Sequence, residues 1–107
     1  MIEQKRKALA DILDTDESQI AFGPFGFECG DRVYEIIFEE NEIKKALDSE
    51  LDYERQSAED SLCDADLDWL IPYVDFDKYF ADAAFTLEDF GWYRYTVNNI
   101  IYYVRII

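Results

Sequence analysis

The sequence predicts one α+β domain over residues 1–107, in which two β-hairpins form an antiparallel sheet with acidic helices packed on one face. Three observations support this prediction. Apolar residues alternate with polar or small residues in segments 22–38 and 92–107, as they do in half-buried strands. Between these segments the apolar residues follow helical spacing. Half of the residues are hydrophobic and 17% are aromatic, which suffices for a core in a domain of this length.

The first two predicted elements are a helix and a hairpin. The helix covers residues 3–13, whose apolar side chains recur at the spacing of one helix face, and a polar stretch over residues 14–18 ends it. The hairpin covers residues 22–38, with a two-residue turn at 30–31. This turn sets two apolar pairs opposite each other, Phe27 with Tyr34 and Phe25 with Ile36.

The longest predicted helix covers residues 42–61. Asn41 is a suitable cap for it, and a break near Tyr53 remains an open alternative. Most of its positions are charged, as in a helix with one exposed face. Its apolar stripe is thin and consists of Ile43, Leu47, Leu51, Ala58 and Leu62.

Two shorter helices are predicted after it. The first covers residues 66–71, with Asp64 or Asp66 as its cap, and ends before Pro72, since the residue before a proline avoids helical geometry. The second covers residues 76–85, where aromatic and alanine side chains follow helical spacing.

The helix over residues 76–85 has clear signals at both ends. Asp75 precedes it as a cap. The segment Thr86–Asp89 has the pattern of a capping box and predicts one further helical turn. Gly91 is expected to end that turn.

The second hairpin is predicted over residues 92–107. It turns at Asn98 and Asn99, because asparagine tolerates the positive φ angles of a type I′ turn. This register sets two pairs opposite each other, Tyr95 with Tyr102 and Arg94 with Tyr103.

The aromatic residues of the second hairpin have two interpretations. They form part of the core, or an outer face with Trp92 and Tyr103 close to Arg94 and Arg105 is a protein interface, where aromatic residues and arginine are enriched. The terminal strand near residues 104–107 is expected to expose an edge on which a homodimer can form.

The negative charge is concentrated in residues 46–90. This segment contains fourteen acidic residues and two basic ones, so it supplies −12 of the net charge of −15. Solubility needs fewer charges, and self-repulsion opposes folding. The charge also argues against direct binding to nucleic acid or to an anionic membrane, and it favours a basic partner. Such a row of like charges resembles a nucleic-acid backbone.

Most enzyme classes are excluded by what the sequence lacks. Histidine is absent, which removes the commonest general base and metal ligand. The cysteines, Cys29 and Cys63, are far apart, and we expect two reduced thiols. The two segments that approach a calcium loop, starting at Asp14 and Asp64, lack its glycine. The expectation is a protein without catalytic residues, metal or cofactor.

The candidate partner-binding residues are therefore acids of the charged segment. A helix would spread its acids over roughly 27 Å, with several carboxylates near one face. The residues that we expect to contact a basic partner are Asp48, Asp52, Glu59, Asp60, Asp64, Asp66, Asp68, Asp75, Asp77, Asp82, Glu88 and Asp89. No targeting segment or long apolar run is present, so the expected location is the cytoplasm of a host cell.

Residues 72–85, PYVDFDKYFADAAF, with the acidic turn and aromatic hairpin that follow, resemble the C-terminal part of ArdA-type antirestriction proteins. In that family a helix with the motif I-D-Y/F-x-x-[YF]-x-[RA]-D precedes an acidic connector and a closing strand pair. Ala81 stands here where a basic residue can precede the final Asp of the motif. The resemblance covers about a third of the chain, which is much shorter than that multidomain family.

The resemblance implies an acidic DNA mimic encoded by a phage or mobile element. Such proteins occupy the DNA groove of restriction complexes, and a CRISPR effector nuclease, which also has a basic channel, is an equally suitable target. We therefore expect an inhibitor that binds the nucleic-acid-binding site of a host defence nuclease. The alternatives are an immunity or antitoxin-like protein that binds a basic toxin, and a non-enzymatic structural or adaptor protein of a phage.

Overall fold

A five-stranded antiparallel sheet with α-helices packed against it makes up the structure, a computed structural model that describes residues 2–107. The predicted α+β class is thus confirmed. The strands are β1 (Ala21–Gly23), β2 (Gly26–Cys29), β3 (Arg32–Ile37), β4 (Tyr93–Val97) and β5 (Ile100–Ile106), in the spatial order β1-β2-β3-β5-β4. The helices are α1 (Ile2–Leu13), α2 (Glu40–Asp64) and α3 (Phe76–Ala83), with 3₁₀ helices at Glu17–Gln19, Asp68–Tyr73 and Leu87–Phe90.

The first predicted hairpin is a three-stranded meander. Phe27 lies opposite Tyr34, as predicted. The predicted pair of Phe25 with Ile36 is wrong, because the chain turns back before Gly26 and pairs β1 with β2. Gly26 has a φ of 142°, and a Cβ there would lie 2.6 Å from the carbonyl oxygen of Tyr34. A glycine at this position therefore permits both the turn and the close approach of β3.

The second hairpin has the predicted turn and register. Asn98 and Asn99 have φ angles of 51° and 65°, and Tyr95 lies opposite Tyr102. The expected free edge of the terminal strand is wrong, because Tyr34–Ile37 of β3 pairs with β5 along the side not taken by β4. The edges of the sheet are β1 and β4. An association of two copies through a strand edge would accordingly involve one of these two strands.

Helices cover both faces of the sheet, so the prediction of a single covered face is wrong. Ile36 and Ile37 are adjacent in β3, and their side chains point to opposite faces. Ile36 packs in a cluster with Leu9 of α1, while Ile37 packs with Leu87 and Trp92. The N-terminal part of α2 covers this second cluster through Ile43, Ala46 and Leu47.

Helix α2 is longer than predicted and does not break at Tyr53. Asn41 lies inside its first turn, and the helix begins after Glu39, whose amide donates to the carboxylate of Glu42 at 3.4 Å. Asp66 ends it with a φ of 58°. The amides of Asp66 and Leu67 donate to the carbonyls of Cys63 and Leu62, which closes the helix end.

The segment predicted as a helix over residues 66–71 is the 3₁₀ helix Asp68–Tyr73. Asp64 and Asp66 do not cap it, because both belong to the end of α2. Pro72 lies inside the segment, and on either side of it the amides of Leu70 and Val74 donate to the carbonyls of Leu67 and Ile71.

Helix α3 covers residues 76–83 and is two residues shorter than predicted. Asp75 caps it as expected by accepting a hydrogen bond from the amide of Lys78 at 3.0 Å. Ala84 ends it with a φ of 50°. The predicted capping box of Thr86 and Asp89 is present, and the turn that it starts ends at Gly91 with a φ of 89°.

Candidate partner-binding surface

The acids of the charged segment lie on a lobe at one side of the sheet, which we call the acidic lobe and define as residues 46–90. Its longest element is α2. This helix packs against the apolar cluster of Ile37, Leu87 and Trp92 only up to Leu47, and the rest of the helix extends for about 25 Å. None of the residues of α2 is fully buried. The molecule is accordingly elongated, with principal extents of 54 × 29 × 18 Å.

A row of aromatic rings connects α3 to the rest of the protein. The ring centroids of Phe80 and Phe85 are 6.0 Å apart, and those of Phe85 and Phe90 are 5.5 Å apart. Phe90 in turn packs against the cluster of Leu87 and Trp92. This row connects α3 to the cluster against which the N-terminal part of α2 also packs.

A groove between α2 and α3 brings together three of the predicted site residues. It has a volume of about 340 Å³ and is lined by Asp48, Asp52 and Asp77 together with Leu51, Arg55 and Phe80. Arg55 pairs with Asp77 at 3.0 Å, and its guanidinium lies 5.3 Å from the centre of the Phe76 ring. Arg55 thus joins the two helices and leaves Asp48 and Asp52 exposed beside the joint.

A second group of carboxylates surrounds Cys63 at the C-terminal end of α2. The pKa of the Cys63 thiol is raised above its ordinary value, first by partial desolvation and then by nearby negative charges. In decreasing order of effect, these charges belong to Asp68, Asp60, Asp64 and Glu59. Four predicted site residues, from α2 and from the 3₁₀ helix after it, therefore raise the pKa of the same thiol.

The structure divides the twelve predicted site residues into two groups. Glu59 is half-buried, and the others are exposed. Five side chains are engaged within the protein: Asp60 with Gln56, Asp75 at the α3 cap, Asp77 with Arg55, Glu88 with Arg94, and Asp89 with Thr86. Within residues 2–107, seven have no side-chain hydrogen bond or ion pair: Asp48, Asp52, Glu59, Asp64, Asp66, Asp68 and Asp82.

Glu50 belongs to a structural joint between α2 and the sheet. It pairs with Arg105 at 3.3 Å, and Arg105 also pairs with Glu35 at 2.6 Å. The guanidinium of Arg105 lies 4.7 Å from the ring centre of Trp92. These contacts attach α2 to the sheet at a cavity of about 560 Å³.

Of the two interpretations of the second hairpin, Trp92 follows the first, because its ring is buried and belongs to the core. Sequence reasoning instead missed exposed aromatic residues on the acidic lobe itself. These residues are Tyr53, Trp69, Tyr73 and Tyr79. A signal for two of them was present, because residues 67–74 are largely apolar without a helical or strand period between flanking aspartates.

None of the helices within residues 2–107 has the length and apolar character needed to cross a lipid bilayer. No group of three or more Cys, Asp or Glu side chains in the same range has an arrangement suited to a metal ion.

Comparisons with protein-family models, with curated proteins and with solved structures give no match to this chain. The resemblance to ArdA-type antirestriction proteins thus stays a prediction from the sequence.

Proposed function

We propose that this protein is a small acidic inhibitor that binds the basic nucleic-acid-binding site of a host defence nuclease, a restriction enzyme or a CRISPR effector, in the cytoplasm of the host cell. The observation that carries this proposal is the arrangement of the lobe. Seven exposed or half-exposed carboxylates have no hydrogen-bond or ion-pair partner within residues 2–107. They lie on α2, on α3 and on the turn and 3₁₀ helix between them, and Arg55 joins α2 to α3.

The energetics of such a surface favour a binding role. Unpaired carboxylates on one lobe repel one another, and this repulsion opposes folding. A basic partner removes the repulsion and gains the same counterion release as when it binds phosphates. Binding should therefore be fast and should weaken as salt increases.

The shape of the lobe supports competition with nucleic acid. The lobe is narrow because α2 and α3 form a thin layer without a second sheet, and the shortest principal extent of the molecule is 18 Å. Its carboxylates occur both at the α2–α3 groove and around Cys63, so negative charge extends along α2. A basic channel built for a duplex can accept such a narrow anionic rod.

The experiment is a plasmid-interference assay in hosts that carry different restriction and CRISPR systems. The wild-type protein is expected to restore transformation in at least one host. A variant with Asp48, Asp52, Asp64 and Asp68 changed to Asn should lose most of this effect because it removes four of the unpaired charges. It should still fold, since these acids make no side-chain hydrogen bond or ion pair within residues 2–107.

The matched control removes four charges outside the lobe by changing Asp11, Asp16 and Asp31 to Asn and Glu17 to Gln, all of which are exposed. This variant should protect as well as the wild type. An equal loss of protection in both variants would mean that net charge, and not the position of the acids on the lobe, is responsible. The absence of protection in every host would overturn the proposal.

A further inference from the structure

We infer that Trp69 and Tyr73, on the 3₁₀ helix Asp68–Tyr73, anchor the partner by stacking on arginine side chains of its basic surface. The inference rests on the proposed function and adds to it the residue type that the lobe recognises. Both rings are largely exposed, since 62% of Trp69 and 81% of Tyr73 are accessible to solvent.

The exposure of these two rings follows from the way the segment packs. Leu70 and Ile71 are half-buried and form the inner side of the 3₁₀ helix. Trp69 and Tyr73 remain outside, and the flanking Leu67 and Val74 are exposed as well. Exposed apolar residues grouped in one short segment mark an interaction site more often than isolated apolar residues do.

Charge decides which partner suits this segment. Residues 59–77 contain seven acidic residues and no basic residue. This charge opposes a nucleic acid, an anionic membrane and a second copy of the chain with its net charge of −15. A positively charged protein surface can pair with the carboxylates and also place cationic side chains against the aromatic rings.

The aromatic rings favour arginine over lysine within such a surface. A guanidinium is planar and weakly hydrated, so it stacks on tryptophan or tyrosine while its N–H groups still donate to neighbouring carboxylates. Asp68 directly precedes Trp69, and Asp75 follows Tyr73 by two residues. The protein already contains this combination in Arg55, which lies over the Phe76 ring and pairs with Asp77.

The test compares hepta-arginine and hepta-lysine peptides, which carry equal charge, by isothermal titration calorimetry at low salt. The wild-type protein is expected to bind hepta-arginine about tenfold more tightly. The double variant Trp69→Ala/Tyr73→Ala should reduce this ratio to about one, with little change in the salt dependence of binding. Trp69→Leu, which keeps an apolar side chain and removes the ring, should lower the ratio in part.

Phe25→Ala is the matched control, because this ring is 76% exposed and lies outside the acidic lobe. It should leave the ratio unchanged. An unchanged ratio in both the double variant and Trp69→Leu would overturn the inference while leaving the proposed function intact. Failure of the wild-type protein to bind either peptide would instead count against the proposed function itself.

Discussion

Individual residues with positive φ angles determine where the helices of the acidic lobe end. Asp66 ends α2 and Ala84 ends α3, and both adopt left-handed backbone geometry. Aspartate tolerates this geometry through its short polar side chain, whereas alanine has no such compensation. Ala84 is therefore a strained position.

Ala84→Gly should stabilise the protein. Glycine adopts a φ of 50° without the steric cost of a Cβ, so the free energy of unfolding should rise by about 1 kcal/mol. Thermal unfolding followed by circular dichroism should show a melting temperature several degrees higher, since about 1 kcal/mol corresponds to roughly 4–8 °C in small domains. Ala81→Gly, inside the same helix, should have the opposite effect. A lower melting temperature for Ala84→Gly would contradict the left-handed end of α3.

The pKa of the Cys63 thiol depends on the negative charges around it. Desolvation and the carboxylates of Asp68, Asp60, Asp64 and Glu59 raise the pKa of this thiol, so less of the reactive thiolate is present at a given pH. In a Cys29→Ser background, Asp68→Asn should shift the pH midpoint of alkylation by iodoacetamide to a lower value. Asp31→Asn, outside the lobe, should leave the midpoint where it is. The same midpoint in the Cys29→Ser protein and in both of its variants would show that Asp68 does not face Cys63.

At the scale of elements, the position of the lobe depends on two arginines. Arg55 joins α2 to α3, and Arg105 joins α2 to β3 and Trp92. Surface ion pairs alone contribute little, but each of these guanidinium groups also lies over a buried aromatic ring.

Arg55→Ala should lower the free energy of unfolding by about 1 kcal/mol, because it removes the contact with Phe76 and the pair with Asp77. Urea denaturation measures this difference. Lys78→Ala is the control, since it removes the same charge from an exposed side chain that has no ion pair within residues 2–107. Equal losses of stability in the two variants would mean that net charge, rather than the joint between α2 and α3, is responsible.

The elements that sequence reasoning predicted well are those set by local chemistry. The turn at Asn98 and Asn99, the cap at Asp75 and the capping box at Thr86 depend on residues only a few positions apart. The pairing of β3 with β5 joins residues such as Tyr34 and Ile106, and no local pattern specifies it. The covered faces of the sheet follow from the same long-range pairing, which explains why they were predicted wrongly.

The candidate site could be predicted only as a set of charges. Sequence alone indicated which residues are acidic, and helical spacing placed Asp48 and Asp52 near each other. It could not indicate that Asp75, Asp77 and Asp89 are engaged within the protein, because their partners depend on cap geometry or on the approach of α3 to α2. The apolar run without a period over residues 67–74 marked the segment of Trp69 and Tyr73, but which of its side chains are exposed depends on tertiary packing.

At the scale of the whole molecule, a sheet covered on both faces supports a thin, strongly negative lobe at one side. Repulsion within the lobe is an energetic cost that a monomeric protein could avoid with fewer acids. The structure retains that cost while arranging the unpaired carboxylates on connected helices. A function in binding a basic surface gives a reason for both features.

The most direct measurement is the displacement of a fluorescently labelled DNA duplex from the nuclease that the interference assay identifies, followed by anisotropy at low and at physiological salt. The wild-type protein should displace the duplex, with an effect that weakens as salt increases. The variant with Asp48, Asp52, Asp64 and Asp68 changed to Asn should displace it poorly, and the control variant changed outside the lobe should match the wild type. Unchanged binding of the duplex at low salt, or equal displacement by the lobe variant, would contradict the account.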